Sequence, residues 1–214
     1  MNYRDIQKTQ FYKNTYSTIA ELKKDFSVNH SFLHVNHVVA QAKKLANLFD
    51  LDNNQRRLLY VACVLHDIGY LEGREEHAKN GAICARKFLT ENNFDPKDID
   101  IICSAIANHG GKRECDLDDL VSMCLCIADK LDFCKTRYNR HIPGHEVNQT
   151  FLGIERNTLK FCNNVLVLEV FVNKKFSREY FLNDYFGKKL NTFLGLVAAK
   201  FRTTYEIKFI DFVK

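Results

Sequence analysis

The chain has 214 residues, of which 46% are hydrophobic and 27% charged, and its formal net charge is +5. This composition is ordinary for a soluble globular protein and excludes a disordered chain, and the length allows one substantial core or one domain with an appendage. The Lys and Arg residues are spread along the sequence without a run of five, which argues against a nucleic-acid interface but fits an anionic small substrate. The longest apolar stretch is too short to cross a bilayer, so no membrane partner is expected.

The eight cysteines indicate a reduced protein rather than a disulfide framework. Polar residues follow Met1 directly, so no signal peptide is predicted. Most of the cysteines fall in apolar helical patterns, where Cys packs as a small hydrophobe: Cys63, Cys84, Cys103, Cys124 and Cys126. We therefore expect a cytoplasmic chain with reduced thiols.

The first part of the chain reads as a series of helices. Residues 3–25 predict one or two weakly amphipathic helices. A clearer helix is predicted from a cap at Ser31 to Asp50, with apolar residues at spacings of three and four. After a short polar break, a central and strongly apolar helix begins at Gln55 and ends at His66.

Three further helices are predicted after the central one. The first spans residues 75–92. The second starts after a cap at Asp95 and a proline, and its apolar stripe continues to His109. Two glycines end this helix, and the third runs from Asp116 through Leu131.

The pattern changes in the last third of the chain. Residues rich in β-branched and aromatic side chains predict strands at 164–172 and 203–212, and helical spacing predicts a helix at 177–201 between them. We therefore expect a mainly α protein, with a helical bundle over residues 1–145 and a small α+β extension over residues 146–214. The position of this extension suggests a homodimer interface or a lid over the substrate, and its strand edges offer a pairing surface for a dimer.

Residues that can bind metal recur on successive predicted helices. The six residues are His34, His66, Asp67, His77, His109 and Asp129. Burying a His-Asp pair without a partner would cost on the order of several kcal/mol, and helical bundles build core metal sites from one or two ligands per helix. The alternatives are a capped helix end at the His-Asp pair, and a salt bridge from Asp129 to Lys130 or Lys135.

Imidazole and carboxylate ligands together suit several divalent ions. A mixed set without thiolate does not select sharply among Fe, Mn, Zn, Co and Ni. Two ions about 3.5–4 Å apart can polarise a phosphoryl group and convert a bound water to hydroxide near neutral pH. Because that hydroxide would attack phosphorus itself, no Ser or Cys nucleophile is required, and the sequence contains no convincing catalytic triad.

The order of these residues resembles that of the HD superfamily of metal-dependent phosphohydrolases, over roughly residues 30 to 140. Five ordered segments carry the resemblance: HVNHV at 34–38, the apolar helix ending in HDIG at 66–69, EHAKNGA at 76–82, AIANH at 105–109 and IAD at 127–129. The resemblance implies a helical-bundle fold and hydrolysis by a metal-activated water.

The resemblance also implies a ligand set. In the superfamily, one metal is held by the residues that correspond to His34, His66, Asp67 and Asp129. Branches with two more histidines hold a second metal, and His77 and His109 match those positions. We therefore expect two ions that share Asp67, with His66 and Asp67 as the catalytic pair; without His77 the site would hold one ion. Iron or manganese is the expected metal, with zinc, cobalt, nickel or magnesium as alternatives.

Basic residues near the predicted site are candidates for contact with substrate phosphate. His37 is expected to support a ligand or face the substrate, because the superfamily commonly has Arg or His at this position. Many relatives have a phosphate-contacting Lys where this chain has Tyr70. The contact could instead come from any of five residues: Arg74, Lys112, Arg113, Arg137 or Arg140.

Other histidines and one acid are expected to lie outside the ligand set. Surface or loop positions are expected for His30, His141 and His145. Asp132 is expected to be either a solvated acid or an acid that contacts and orients a ligand.

The sequence therefore predicts a phosphohydrolase that cleaves phosphoester or phosphoanhydride bonds of a nucleotide or a similar phosphorylated small molecule. By resemblance, the ligand set is similar to that of HD proteins that hydrolyse dinucleoside tetraphosphates or cyclic dinucleotides. One alternative is a non-catalytic, metal-bound HD module that senses nucleotides or binds a partner. A second alternative is a structural zinc protein, which would unfold on chelation.

Overall fold

Helix α4 (Asn53–Leu65) lies at the centre of the first structural unit in the computed structural model and packs against four other helices. Its residues from Leu58 to Leu65 are buried except for Tyr60, so the predicted central apolar helix is confirmed. The structure describes residues 1–22, 28–110, 119–139 and 150–213.

The chain divides into two compact units, the first formed by Met1–Lys24 and His30–Asp132 and the second by Asp25–Asn29 and Phe133–Lys214. The described helices of the first unit are α1 (Tyr3–Lys8), α2 (Gln10–Leu22), α3 (Phe32–Leu48), α4, α5 (His77–Glu91), α6 (Pro96–Asn108) and α7 (Leu120–Lys130), with a 3-10 helix at Ile68–Glu72. The predicted boundary after residue 145 lies outside the described residues and stays a prediction. Among the helices that the structure describes, none has both the length and the apolarity needed to span a membrane.

Side-chain caps set most of the helix starts in this unit. Ser31 caps α3 and Asp95 caps α6, both as predicted. Asp52 caps α4 through a reciprocal pair of hydrogen bonds with Gln55, so the helix begins two residues before its predicted start. The predicted start of α7 lies outside the described residues, and Asp119 caps the described helix.

Two glycines allow the turn after α4 to lie directly against α5. A Cβ on Gly69 would stand 2.0 Å from the main-chain O of His77 and 2.2 Å from the main-chain N of Gly81. Only glycine fits at this separation. A Cβ on Gly81 would in turn stand 3.1 Å from the main-chain O of His66. The close approach therefore holds the start of α5, where His77 lies, beside the end of α4.

Two 3-10 helices, at Lys135–Arg137 and Phe151–Gly153, precede the main elements in the described part of the second unit, which are a three-stranded sheet and two α-helices. In chain order these are β1 (Ile154–Cys162), β2 (Val165–Val172), α8 (Arg178–Asn183), α9 (Tyr185–Lys200) and β3 (Thr204–Asp211). β1 pairs antiparallel with β2, and β2 pairs parallel with β3. Asn163 and Asn164 have positive φ angles of 48° and 60° and form the tight turn between β1 and β2.

The sequence pattern predicts most of this second unit. The strands predicted at 164–172 and 203–212 are confirmed as β2 and β3, whereas β1 is not predicted. The helix predicted at 177–201 is two helices, because Asp184 ends α8 and accepts a hydrogen bond from the main chain at the start of α9. The fold class, mainly α with a small α+β extension, is confirmed.

Candidate metal centre

Five of the predicted ligands lie at helix ends in the first unit. His34 is in the first turn of α3, His66 caps the end of α4, and Asp67 follows it. His109 caps the end of α6, and Asp129 is in the last turn of α7. All but Asp129 are almost completely buried. Because helix ends expose side chains beyond the regular packing of the helices, several such ends can direct donor atoms to one point.

His34 and His66 face each other through their Nε2 atoms, which are 3.1 Å apart. Oδ2 of Asp67 lies 3.4 Å from the first of these nitrogens and 3.2 Å from the second. Oδ1 of Asp129 lies 3.3 Å and 4.0 Å from the same two atoms. Two ligands about 2.1 Å from one ion, at angles of about 90–110°, are about 3.0–3.4 Å apart. The donor atoms are therefore spaced like ligands around a single ion, with the contact between Asp129 and His66 the longest.

Each of the three almost completely buried histidines among the predicted ligands uses its second ring nitrogen in a hydrogen bond that orients the ring. Nδ1 of His66 and Nδ1 of His109 donate to main-chain oxygens three residues earlier, at 2.7 Å and 2.6 Å. Nδ1 of His34 donates to Oδ2 of Asp132 at 2.6 Å. In a neutral ring Nε2 then carries the lone pair, and two facing lone pairs repel each other unless a cation lies between them. This arrangement of donors fits a bound metal ion.

His109 lies on the other side of Asp67, with its Nε2 3.6 Å from Oδ1 of that carboxylate. The ring of His77 lies beside His109, with ring centroids 5.1 Å apart, and stacks on Tyr70 at 4.3 Å. Nδ1 of His77 donates to the main-chain O of Arg74 at 2.8 Å, which leaves the lone pair on Nε2. Among the described residues, the sets of three donors within 4.8 Å of one another include His109 but not His77. His77 as a ligand therefore stays a prediction.

The sequence around this cluster matches a known family. The match is described as HD domain, and it covers residues 29–134, including all the predicted ligands. Residues 29–134 are an HD domain. This places them in a family of metal-dependent hydrolases, and the resemblance seen in the sequence is confirmed.

Comparison with solved structures also finds similar chains. A predicted HD superfamily hydrolase from an uncultured Thermotogales bacterium is 23% identical to this chain, and the match covers 63% of this chain and 75% of the other. The TM-score of this match is 0.47. No curated protein matches the sequence. The identification therefore depends on the family match.

Imidazoles and carboxylates inside the HD domain shift one another's pKa values. Burial disfavours a charged imidazole at His34, but the surrounding carboxylates outweigh burial and hold its pKa well above the ordinary value. Burial is likewise outweighed at His109, where the hydrogen bond to Asp67 raises the pKa. Burial favours a neutral carboxyl at Asp67, but the neighbouring imidazoles, His66 first, hold its pKa well below the ordinary value. Imidazolium and carboxylate therefore attract each other in the metal-free site.

We expect the metal-free HD domain to lose stability as the pH rises above about 6.5. Because the folded-state pKa of His34 is raised, its stabilising contribution is complete below the ordinary value of 6.5 and is lost as the pH rises through the folded-state value. Thermal unfolding of chelated protein between about pH 6 and 9 measures this loss. The control is the same scan with a divalent ion bound, because ligation needs neutral imidazole and tightens as the pH rises. A metal-free Tm that stays level over this range would contradict the expectation.

His30, predicted at a surface or loop position, lies in the loop before α3 but is buried rather than at the surface. Its exposure is only 9%, and its Nδ1 lies 3.0 Å from Oδ2 of Asp67. His30 also joins His34 and Asp67 in one of the sets of closely spaced donors. Burial lowers its pKa below the ordinary value, which favours the neutral ring. The one signal in the sequence was its position four residues before His34.

Asp132 is buried and contacts His34, a predicted ligand, so it is not a solvated acid. Its exposure is 4%, and its two oxygens contact Nδ1 of His34 at 2.6 Å and Nδ1 of His37 at 3.2 Å. Burial opposes ionisation of Asp132, but hydrogen bonds from the two imidazoles outweigh it and lower its pKa. The His37 side chain is 35% exposed, so it lies between the buried centre and the surface.

Lys130 contacts the end of α6. Its Nζ donates to the main-chain O of His109 at 3.3 Å and to that of Cys126 at 3.4 Å. Asp129, the neighbouring residue, has its Oδ1 3.3 Å from Nε2 of His34. A salt bridge between Asp129 and Lys130 is therefore not needed to explain an acid in this apolar helix.

The candidates for phosphate contact are spread over the chain. Arg74 lies on an exposed turn, and its main-chain O accepts the hydrogen bond from His77. Arg137 is buried within the second unit. Several other residues named from the sequence lie outside the described residues: Lys112, Arg113, Arg140, His141 and His145. Contact of any of these arginines and lysines with substrate stays a prediction.

Proposed function

We propose that the HD domain is a phosphohydrolase that uses bound divalent metal. The observation that carries this proposal is the pair of facing Nε2 atoms of His34 and His66, 3.1 Å apart, with carboxylates beside both. Neutral imidazoles and carboxylates in one buried cluster favour a divalent cation. Membership of the HD family supports hydrolysis as the reaction.

The proposed ligands form two sets that share one carboxylate. The first ion would be held by Nε2 of His34, Nε2 of His66, Oδ2 of Asp67 and Oδ1 of Asp129. The second would be held by Oδ1 of Asp67 with His109 and His77. Iron and manganese are the proposed ions, and zinc, cobalt, nickel and magnesium are alternatives that this donor set also accepts.

The chain's own residues orient the proposed site. Divalent ions, when bound, polarise a phosphoryl group and lower the pKa of the water that attacks phosphorus. Asp132 and two main-chain oxygens keep Nδ1 of the buried imidazoles protonated, so that Nε2 is the ligand atom. His66 and Asp67 are the proposed catalytic pair, because they are adjacent in sequence and their contacting atoms are 3.2 Å apart.

We propose a nucleotide or a similar phosphorylated small molecule as the substrate. Two ions of this kind bind phosphoryl oxygens well, and a net charge of +5 favours an anionic ligand. His37 and Arg74 carry exposed or partly exposed side chains, so they are the proposed phosphate contacts in the described part of the HD domain. Lys112, Arg113 and Arg137 are kept as candidates from the sequence.

Metal content and turnover test this proposal together. We expect elemental analysis of the purified protein to find about two transition-metal ions per chain. We also expect hydrolysis of a panel of nucleotides and phosphate esters when manganese or iron is added. His109→Ala should lose activity and the second ion, because His109 contacts Oδ1 of Asp67 at 3.6 Å. His77→Ala should do the same if His77 completes that set.

The matched control is Asp100→Asn, which changes an exposed carboxylate paired with Arg86. It should keep both metal and activity. One ion per chain with turnover of mononucleotides would indicate a mononuclear hydrolase. Bound metal without turnover on any panel member would favour a nucleotide sensor, and unfolding on chelation would favour structural zinc. Absence of both metal and turnover would contradict the proposal.

Two sequence-based predictions concern the whole chain. A homodimer formed through the second unit and a cytoplasmic location are both kept as proposals. Mass measurement at micromolar concentration tests the dimer, because a monomer mass would contradict it.

A further inference from the structure

His30 lies just before the helix that carries His34. It immediately precedes Ser31, the N-cap of α3, and its side chain is buried beside the metal centre. Its Nδ1 is 3.0 Å from Oδ2 of Asp67, a normal hydrogen-bond distance. An ionised carboxylate accepts hydrogen bonds and cannot donate them, so the imidazole is the donor in this pair.

This hydrogen bond is made to Asp67, whose two carboxylate oxygens also face three other imidazoles. Oδ2 of Asp67 faces Nε2 of His34 at 3.4 Å and Nε2 of His66 at 3.2 Å, while Oδ1 faces Nε2 of His109 at 3.6 Å. The terminal torsion of an Asp side chain has a broad energy minimum and is easily rotated. A donor fixed at Oδ2 therefore determines which oxygen faces which group of imidazoles.

The aromatic ring of Tyr70 packs against the imidazole ring of His30. The centroids of these two rings are 4.4 Å apart, and Tyr70 is only 6% exposed. The same Tyr70 ring stacks on His77 with centroids 4.3 Å apart and an interplanar angle of 13°. A single buried aromatic ring therefore packs against both His30 and His77.

We propose that His30 is a positioning residue of the metal centre, which orients Asp67 through Nδ1–H and is held in place by Tyr70. This inference rests on the proposed function, because it concerns the carboxylate that the two ions would share. Hydrogen-bond partners of metal ligands typically contribute about 10–100-fold to metal affinity. His30 is therefore expected to act on metal affinity and geometry without itself binding the ion.

Cobalt titration of the metal-free protein tests this role without any substrate. Co²⁺ gives visible absorption bands that depend on the number and arrangement of its ligands, so affinity and geometry are read in one measurement. We expect His30→Leu to weaken Co²⁺ binding by about 10–100-fold and to change the spectrum. His30→Asn is the matched rescue variant, because its amide N–H replaces Nδ1–H at nearly the same position. We expect it to restore most of the affinity and the wild-type spectrum.

Three other outcomes would overturn the inference. Wild-type affinity and spectrum in His30→Leu would overturn the inference and leave the proposed function intact. An equal loss in His30→Asn and His30→Leu would overturn it as well, because the imidazole itself would then be needed as a ligand. Absence of Co²⁺ binding by the wild-type protein would overturn the proposed function and the inference with it.

Circular dichroism of the metal-free variants checks that each is folded. Should His30→Leu fail to fold, His30→Gln replaces it, because glutamine is polar and similar in size but carries its amide one bond further from the main chain. We expect this variant to lose affinity as His30→Leu would. Wild-type Co²⁺ binding by His30→Gln would overturn the inference.

Discussion

Replacing Asp67 with Asn is expected to abolish tight binding of divalent metal and to reduce hydrolysis by about a thousandfold or more, which corresponds to about 4 kcal/mol. Asn has nearly the same shape as Asp but no charge. Asp67 contacts His66 at 3.2 Å through one oxygen and His109 at 3.6 Å through the other, so the substitution weakens both proposed ion sites at once. Elemental analysis and initial rates with added manganese measure the two effects.

A loss of metal binding caused by misfolding of Asp67→Asn can be distinguished from a loss caused by removal of the carboxylate charge. Circular dichroism of metal-free Asp67→Asn should show the helical content of the wild-type protein, because the substitution leaves the volume of the site unchanged. Asp100→Asn is the matched control, since it removes the same charge from an exposed surface pair. Full metal content and full activity in Asp67→Asn would contradict both the ligand assignment and the proposed reaction.

Gly69→Ala is expected to lower the free energy of unfolding by about 3 kcal/mol or more. The added Cβ would lie 2.0 Å from the main-chain O of His77 and 2.2 Å from the main-chain N of Gly81. These are backbone atoms, so the clash is relieved only by moving the start of α5 away from the end of α4. Chemical denaturation of the metal-free protein measures the change. The His77 ring would move with its helix, so loss of the second ion should accompany the destabilisation.

Gly195→Ala is the control for this substitution. Gly195 lies inside α9, and an added Cβ would meet the ring of Tyr205 at 3.4 Å, an ordinary contact. Because Ala favours helix over Gly by about 0.8–1 kcal/mol, this variant should be as stable as the wild type or more stable. Equal stability of Gly69→Ala and the wild type would contradict the close approach of the turn after α4 to α5.

The helices of the first unit could be predicted because the forces that set them are local. Apolar residues at spacings of three and four define the buried face of α4, and short polar side chains such as Ser31 and Asp95 cap helix starts within three residues. β1 was missed because its residues do not alternate regularly between apolar and polar. Asn157 is 2% exposed in the middle of this strand, where a periodic pattern would have an apolar residue. Pairing with β2 through the Asn163-Asn164 turn makes this segment a strand.

The order of histidines and aspartates along the chain determined by itself that a metal centre of the HD type was expected, because each ligand type can be read directly from the residue. Only the tertiary structure decided which atoms face one another: Nε2 of His34 opposite Nε2 of His66, and one oxygen of Asp67 on each side. The tertiary structure also showed that His30 is buried against Asp67 and that Asp132 contacts His34. These contacts join residues as far as 98 positions apart in the sequence, and no local pattern specifies a contact that exists only after the helices have packed.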